Sequence, residues 1–227
     1  MHHSIRNAWA ALGLCLLLGG LSGCAQTSWG NPFASKQPET NFDTPSSRVE
    51  QLRQIAATQD ERPESENVRL ANEMAAASQT ETDPIVRAEL VRTLKSYKTE
   101  TAQVTLTAAI KDSEPDVRIA ACEGWAERGG PEAVQLLSET LSSDTDMDVR
   151  LAAARGLGKL RDPGSMAALG LALEDPNPAL QYRAVQSLKN ISDQNYGDDV
   201  NAWRQFVQGE APTPKNRSLA QKWRDLF

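Results

Sequence analysis

The sequence predicts an all-α fold, an α-solenoid of about five antiparallel helix pairs, and two observations predict it. The first is recurrence. The stretch 148–157 returns along the chain; with Val149 as register mark, its counterparts are Val86, Val117 and Leu180, at spacings of 31, 32 and 31 residues, the interval of stacked helical repeats. The second is the apolar pattern within each copy. Four residues past the mark stand Leu90, Ala121, Ala153 and Ala184, and eight past it Leu94, Trp125, Leu157 and Leu188. Positions 0, 4 and 8 fall on one stripe of a helix. A further stripe lies in each interval: Leu106 with Ile110, Leu137 with Leu141, Leu169 with Leu173. Each unit is therefore two helices, and each needs the other to cover its apolar side. A composition with 40% hydrophobic but only 5% aromatic residues suits a core of alanine and leucine.

The chain opens with an address. Arg6 gives a short basic start, and residues 8–21 form an apolar run too short and wrongly flanked for a membrane span, as in an export signal over 1–23. The run ends in Leu21-Ser22-Gly23-Cys24, which resembles the lipobox of bacterial lipoproteins. The resemblance implies cleavage before Cys24, with lipid on its sulfur and on the new amino group. More than one acyl chain gives stable anchoring without a spanning helix. The expected location is the cell envelope, on the periplasmic side of a membrane. Ala25 stands where lipoproteins held at an inner membrane often have Asp, which leans towards the outer membrane. The alternative is an ordinary cleaved signal with an incidental cysteine.

Removing residues 1–23 takes Arg6, His2 and His3 and none of the 30 acidic residues. The mature chain then has no histidine, which excludes Ser-His and Cys-His nucleophile pairs and every His-based zinc site. A formal charge of −6 argues against nucleic acid as partner, since phosphate binding draws on basic patches. The three cysteines, Cys15, Cys24 and Cys122, make no disulfide framework. Cys122, beside Ala121, reads as a small buried hydrophobe.

In chain order, residues 24–47 are rich in Ser, Thr, Asn, Gln and Pro without a period and read as a flexible, disordered tether. The solenoid is expected over 48–209. Residues 48–58, with Val49, Leu52 and Ile55, and 64–78, with Val68, Ala71 and Met74, form an atypical first pair, as an end unit should. Helices follow over 84–97, 100–111, 115–128, 131–142, 147–160, 163–174 and 178–191. Their starts are marked by Asp83-Pro84, Gly130-Pro131, Asp162-Pro163 and Asn177-Pro178, each a permitted cap before a proline whose missing N–H costs nothing there. After a polar turn at 190–197, residues 198–207 supply a short helix whose Val200, Trp203 and Phe206 close the apolar end. Residues 210–227 are a linker and a last helix from Ser218, with Leu219, Trp223, Leu226 and Phe227 opposite Arg217, Lys222 and Arg224. That helix docks back on the solenoid, binds a partner or lies on a membrane surface. Trp203, Trp223 and Phe227 are the candidate partner-binding residues.

Val86-Arg87, Asp116-Val117-Arg118 and Asp148-Val149-Arg150, each followed by a small-residue helix, resemble HEAT repeats of the short, bilin-lyase-like type over residues 83–191. The resemblance implies a structural signature, in which the acid of one unit and the arginine of the next form a ladder. The fourth copy has Ala179 and Gln181 at those places, so the ladder should stop there. It also raises an enzymatic alternative, a chromophore-binding solenoid or an accessory subunit of an envelope enzyme, although fold alone confers no activity.

Nothing in the sequence supplies chemistry. Gly156, Gly158, Gly164 and Gly170 are scattered and follow no strand, so no phosphate loop forms and no cofactor is implied. Asp144, Asp146 and Asp148 alternate like a calcium loop, yet Val149 replaces the required glycine and Ala153 and Ala154 occupy later ligand places, so no metal is expected. The expected function is a non-enzymatic scaffold or adaptor for a protein partner. In such stacks the second helices commonly line the concave side; their outward residues here, Gln103, Thr107, Gln135, Glu139 and Ser165, are polar and unspecialised.

Overall fold

The computed structural model describes residues 44–212. These build ten α-helices: α1 (Pro45–Ala57), α2 (Glu64–Thr80), α3 (Pro84–Leu94), α4 (Glu100–Ala109), α5 (Pro115–Arg128), α6 (Gly130–Ser143), α7 (Met147–Leu160), α8 (Met166–Ala172), α9 (Pro178–Ile191) and α10 (Val200–Val207). They stack in two layers: α1, α3, α5, α7 and α9 lie side by side, covered by α2, α4, α6, α8 and α10. Cys24, the expected export signal over 1–23, Trp223 and Phe227 lie outside the described residues.

The register marks explain the stacking. Val86, Val117, Val149 and Leu180 are buried, as are the residues four and eight places on in every copy and the paired stripes of α4, α6 and α8. Burying an aliphatic side chain of this size stabilises by about 1.5–3 kcal/mol, so each unit gains most of its stability from neighbours. Asp83, Asp146 and Asn177 accept the backbone N–H groups opening α3, α7 and α9, and Thr99 and Asp199 do so for α4 and α10. Gly129 (φ 75°) and Gly130 (φ 86°) turn the chain between α5 and α6 through a conformation that side chains resist.

Several boundaries differ from the sequence reading: α3 ends at Leu94 rather than 97 and α4 at Ala109 rather than 111, and two further differences have a clear physical cause. The tether cannot run to residue 47, because α1 already starts at Pro45: Thr44 accepts the Ser47 N–H at 3.2 Å, and proline occupies the first helical position. The helix expected over 163–174 is divided. Asp162 takes the Gly164 N–H at 2.7 Å, so the chain opens as a 3₁₀ turn, Pro163–Ser165, before α8.

The two layers pack unequally. First helices α3, α5, α7 and α9 lie closely side by side, whereas the second helices α4 and α6 barely meet. Small residues permit the close layer. At Gly158 an added Cβ would stand 2.8 Å from the Cα of Ser187, and beside it Ser187 Oγ donates to the Ala154 carbonyl at 2.8 Å. The first-helix layer is therefore the more tightly packed of the two.

At the C-terminal end Trp203 is fully buried. Its indole N–H donates to the Gly197 carbonyl at 3.0 Å, and its ring meets Tyr196 (centroids 5.2 Å, 79°) and Phe206 (5.7 Å, 89°) edge-on. Such pairs add about 0.5–1.5 kcal/mol beyond area burial.

Candidate interaction surface

The arginines of the signature form a ladder, but with acids other than those expected. Arg87 donates through Nε and Nη2 to both carboxylate oxygens of Asp112, at 2.8 and 2.9 Å, and Arg118 holds Asp144 in the same two-pronged way at 2.8 and 2.9 Å. Arg150 reaches Asp175 at 2.7 Å. Before them Arg48 of α1 pairs with Glu81. Asp116 and Asp148 take no part: they sit in the first turns of α5 and α7, facing water. The pairing acid is the one five residues before each register mark, in the turn that closes the preceding second helix.

Each such acid does two jobs. Its second function is to accept the backbone N–H two residues on: Asp83, Glu114, Asp146 and Asn177 donate to Glu81, Asp112, Asp144 and Asp175 at 2.8, 2.9, 2.9 and 2.8 Å. The turn is thereby fixed, and the arginine clamps it to the next helix. Burial alone would raise the Asp144 carboxyl, but the Arg118 hydrogen bond, the Asp146 amide and nearby positive charge together hold it below the ordinary carboxylate range. Gln181 keeps only the backbone half of the contact, donating to the Asp175 carbonyl at 2.7 Å. The ion-pair ladder ends there.

These geometries occupy the groups that resembled catalytic or metal-binding sets. Asp144 holds Arg118, Asp146 accepts the Asp148 and Val149 amides at 2.9 and 3.2 Å, and the Asp148 side chain faces water, so the alternating acids point to different partners. Cys122 is buried and its thiol is pushed up to about 12, chiefly by burial, so its nucleophilic thiolate is suppressed. Among the described residues, no helix is long and apolar enough to cross a membrane.

The candidate surface is a groove between α4 and α6, of about 710 Å³. It exists because these helices diverge. Gln103, Thr107 and Glu139 line it, as do Val104, Leu136 and Glu132. Val104 is 62% exposed, an aliphatic side chain in open solvent within an otherwise charged rim. Gln103 donates across the groove to Glu132 at 2.7 Å, and Gln135 to Glu139 along α6 at 3.0 Å. Two sequence-based candidates fall away. Ser165 is buried rather than outward-facing, because the 3₁₀ turn tucks it beneath the stack. Trp203 is consumed by the core and offers a partner nothing. Val104 had no sequence signal of its own, since it stands between polar neighbours.

In comparison with known proteins, a family model described as HEAT repeats matches residues 72–152 and again 136–200, together more than half of the chain. A solved structure of human deoxyhypusine hydroxylase in complex with glycerol is similar at 21% identity with a TM-score of 0.48, covering 55% of this chain and 44% of that one. The chain thus spans less than half the length of that protein. No curated protein matches the chain.

Proposed function

Since the chain belongs to the HEAT-repeat proteins, we propose that it is a non-catalytic scaffold or adaptor that binds a protein partner through its second-helix surface while lipid on Cys24 holds it at the bacterial cell envelope. The observation that carries the binding half is the α4–α6 groove, where exposed Val104 and the Leu136 side chain lie within a rim of Glu132, Glu139 and Gln103. An exposed apolar side chain ringed by polar groups suits a protein-binding surface. The ladder supports the same reading, because its charges are used to join repeats and not to act on a substrate. The anchoring half rests on Leu21-Ser22-Gly23-Cys24; with Ala25 following, the outer membrane is the favoured site, on its periplasmic side.

The test is crosslinking and pull-down from membranes with the intact protein, Cys24→Ala and Val104→Arg. The reading expects Cys24→Ala to leave the membrane fraction. It expects Val104→Arg to stay there but to lose the partners recovered with the intact chain. Undiminished recovery with Val104→Arg removes the groove from the reading, and a Cys24→Ala protein that still sediments with membranes removes the anchor.

A further inference from the structure

We propose that the α4–α6 groove is covered in the resting protein by the chain's own C-terminal segment, residues 218–227, which a partner must displace. The inference rests on the adaptor reading only in assigning both occupants to one groove. Three observations point to this occupant. The first is charge. The groove walls carry Glu100, Glu132 and Glu139 against a single cation, Lys111, while the segment and its approach carry Arg217, Lys222 and Arg224 against Asp225. In a chain of formal charge −6, that concentration of positive charge at one end has a natural counterpart in the groove.

The second is apolar complementarity. Leu219, Trp223 and Leu226 recur at helical spacing, and the groove offers exposed Val104 beside Leu136 and Ala108. A ten-residue helix is about 15 Å long, the length of α4, which spans ten residues from Glu100 to Ala109. The third is reach. α10 packs on α8, and α8 on α6, so two helix spacings separate α10 from the near wall of the groove. Crossing two helices at about 8–10 Å each needs about 16–20 Å. Residues 211–217, at about 3.3–3.6 Å each, cover about 23–25 Å.

The experiment uses the purified full chain, with a cysteine introduced at Val104 and thiol labelling read at that position by peptide mass spectrometry. Tyr182→Cys, at a site 53% exposed on α9 and outside the groove, is the reference. A segment docked for about nine-tenths of the time slows Val104→Cys labelling on the order of tenfold. Adding Trp223→Ser, or reversing Arg217, Lys222 and Arg224 to Glu, restores the rate to that of the reference, and the conservative Lys222→Arg leaves the protection in place. Labelling of Val104→Cys as fast as Tyr182→Cys, and unchanged by the tail substitutions, overturns the proposal. So does protection that fades on dilution, which assigns the occupant to a second copy, or protection that needs anionic vesicles, which assigns the segment to a membrane. Because no partner is present, failure of the pull-down described above leaves this result untouched, and the reverse also holds.

Discussion

Replacing Gly158 with alanine adds one methyl group where the first-helix layer is tightest. The new Cβ would stand 2.6 Å from Ser187 Oγ, 2.7 Å from its Cβ and 2.8 Å from its Cα, whereas carbon atoms in contact sit at about 3.5–4.0 Å. A side chain can rotate away, but a Cα cannot, so α7 and α9 must part by somewhat under 1 Å. Overpacking of this kind costs about 1–3 kcal/mol, and a backbone obstacle places it in the upper part of that range. Alanine returns about 1 kcal/mol through helix propensity. The net loss expected is about 1–2 kcal/mol. Gly156→Ala is the control. There the added Cβ meets Leu137 Cδ1 at 2.9 Å and Ala126 Cβ at 3.2 Å, and a leucine can change rotamer, so the result should lie within about 1 kcal/mol of neutral. Urea unfolding followed by circular dichroism at 222 nm measures both; the slopes must agree with wild type, because repeat stacks can unfold in parts. A Gly158→Ala protein as stable as wild type, or less damaged than Gly156→Ala, refutes the close approach of these helices.

Three further outcomes follow from the same geometry. Arg118→Met should cost about 1–3 kcal/mol, since it strands a two-pronged carboxylate, while Arg69→Met, which breaks an exposed pair with Glu73 on α2, should stay within about 0.5 kcal/mol in the same urea assay. Asp112, Asp144 and Asp175 have carboxyl groups held below their ordinary value; the stabilisation is present above the unfolded value near 4 and disappears as pH falls through the lowered one. Urea midpoints should therefore fall between about pH 5 and pH 2, less steeply in Arg118→Met, and a flat profile in the wild type contradicts the ladder. Native protein at pH 8 should leave Cys122 unalkylated, and urea should expose it fully; modification of the folded protein, read on the peptide containing Cys122, would show that the core opens.

Most of the architecture could be read from the residues because every internal copy meets the same neighbours, so one pattern repeats wherever one environment does. α5, α7 and α9 begin and end where their caps and apolar stripes place them. What escaped depends on contacts between copies. Glu81, Asp112, Asp144 and Asp175 share one register place, five residues before each mark, and that recurrence is legible; the acid adjoining the valine is nearer in sequence but not in space. The division of the helix at Ser165 follows from a single side-chain hydrogen bond at Asp162, which periodicity does not register. The groove depends on how far apart α4 and α6 stand, a distance set by packing in the other layer. Trp203, an aromatic at an end helix, satisfied the pattern of a core residue and of a binding residue equally; its hydrogen bond to Gly197 decides for the core.

The ladder also bears on how such a chain can grow or shrink. Each internal junction offers the same plug and socket: an arginine one place after the mark, and an acid already pinned to its own turn. A unit of 31 or 32 residues cut out or duplicated between α4 and α9 leaves matching halves at the seam, so gene-level slippage there yields a protein that still closes on itself. Beyond α9 the plug is missing, because Gln181 grips only a carbonyl and Trp203 fills the space a further unit would need. The junction after α9 is therefore closed by apolar packing where the internal junctions are closed by ion pairs.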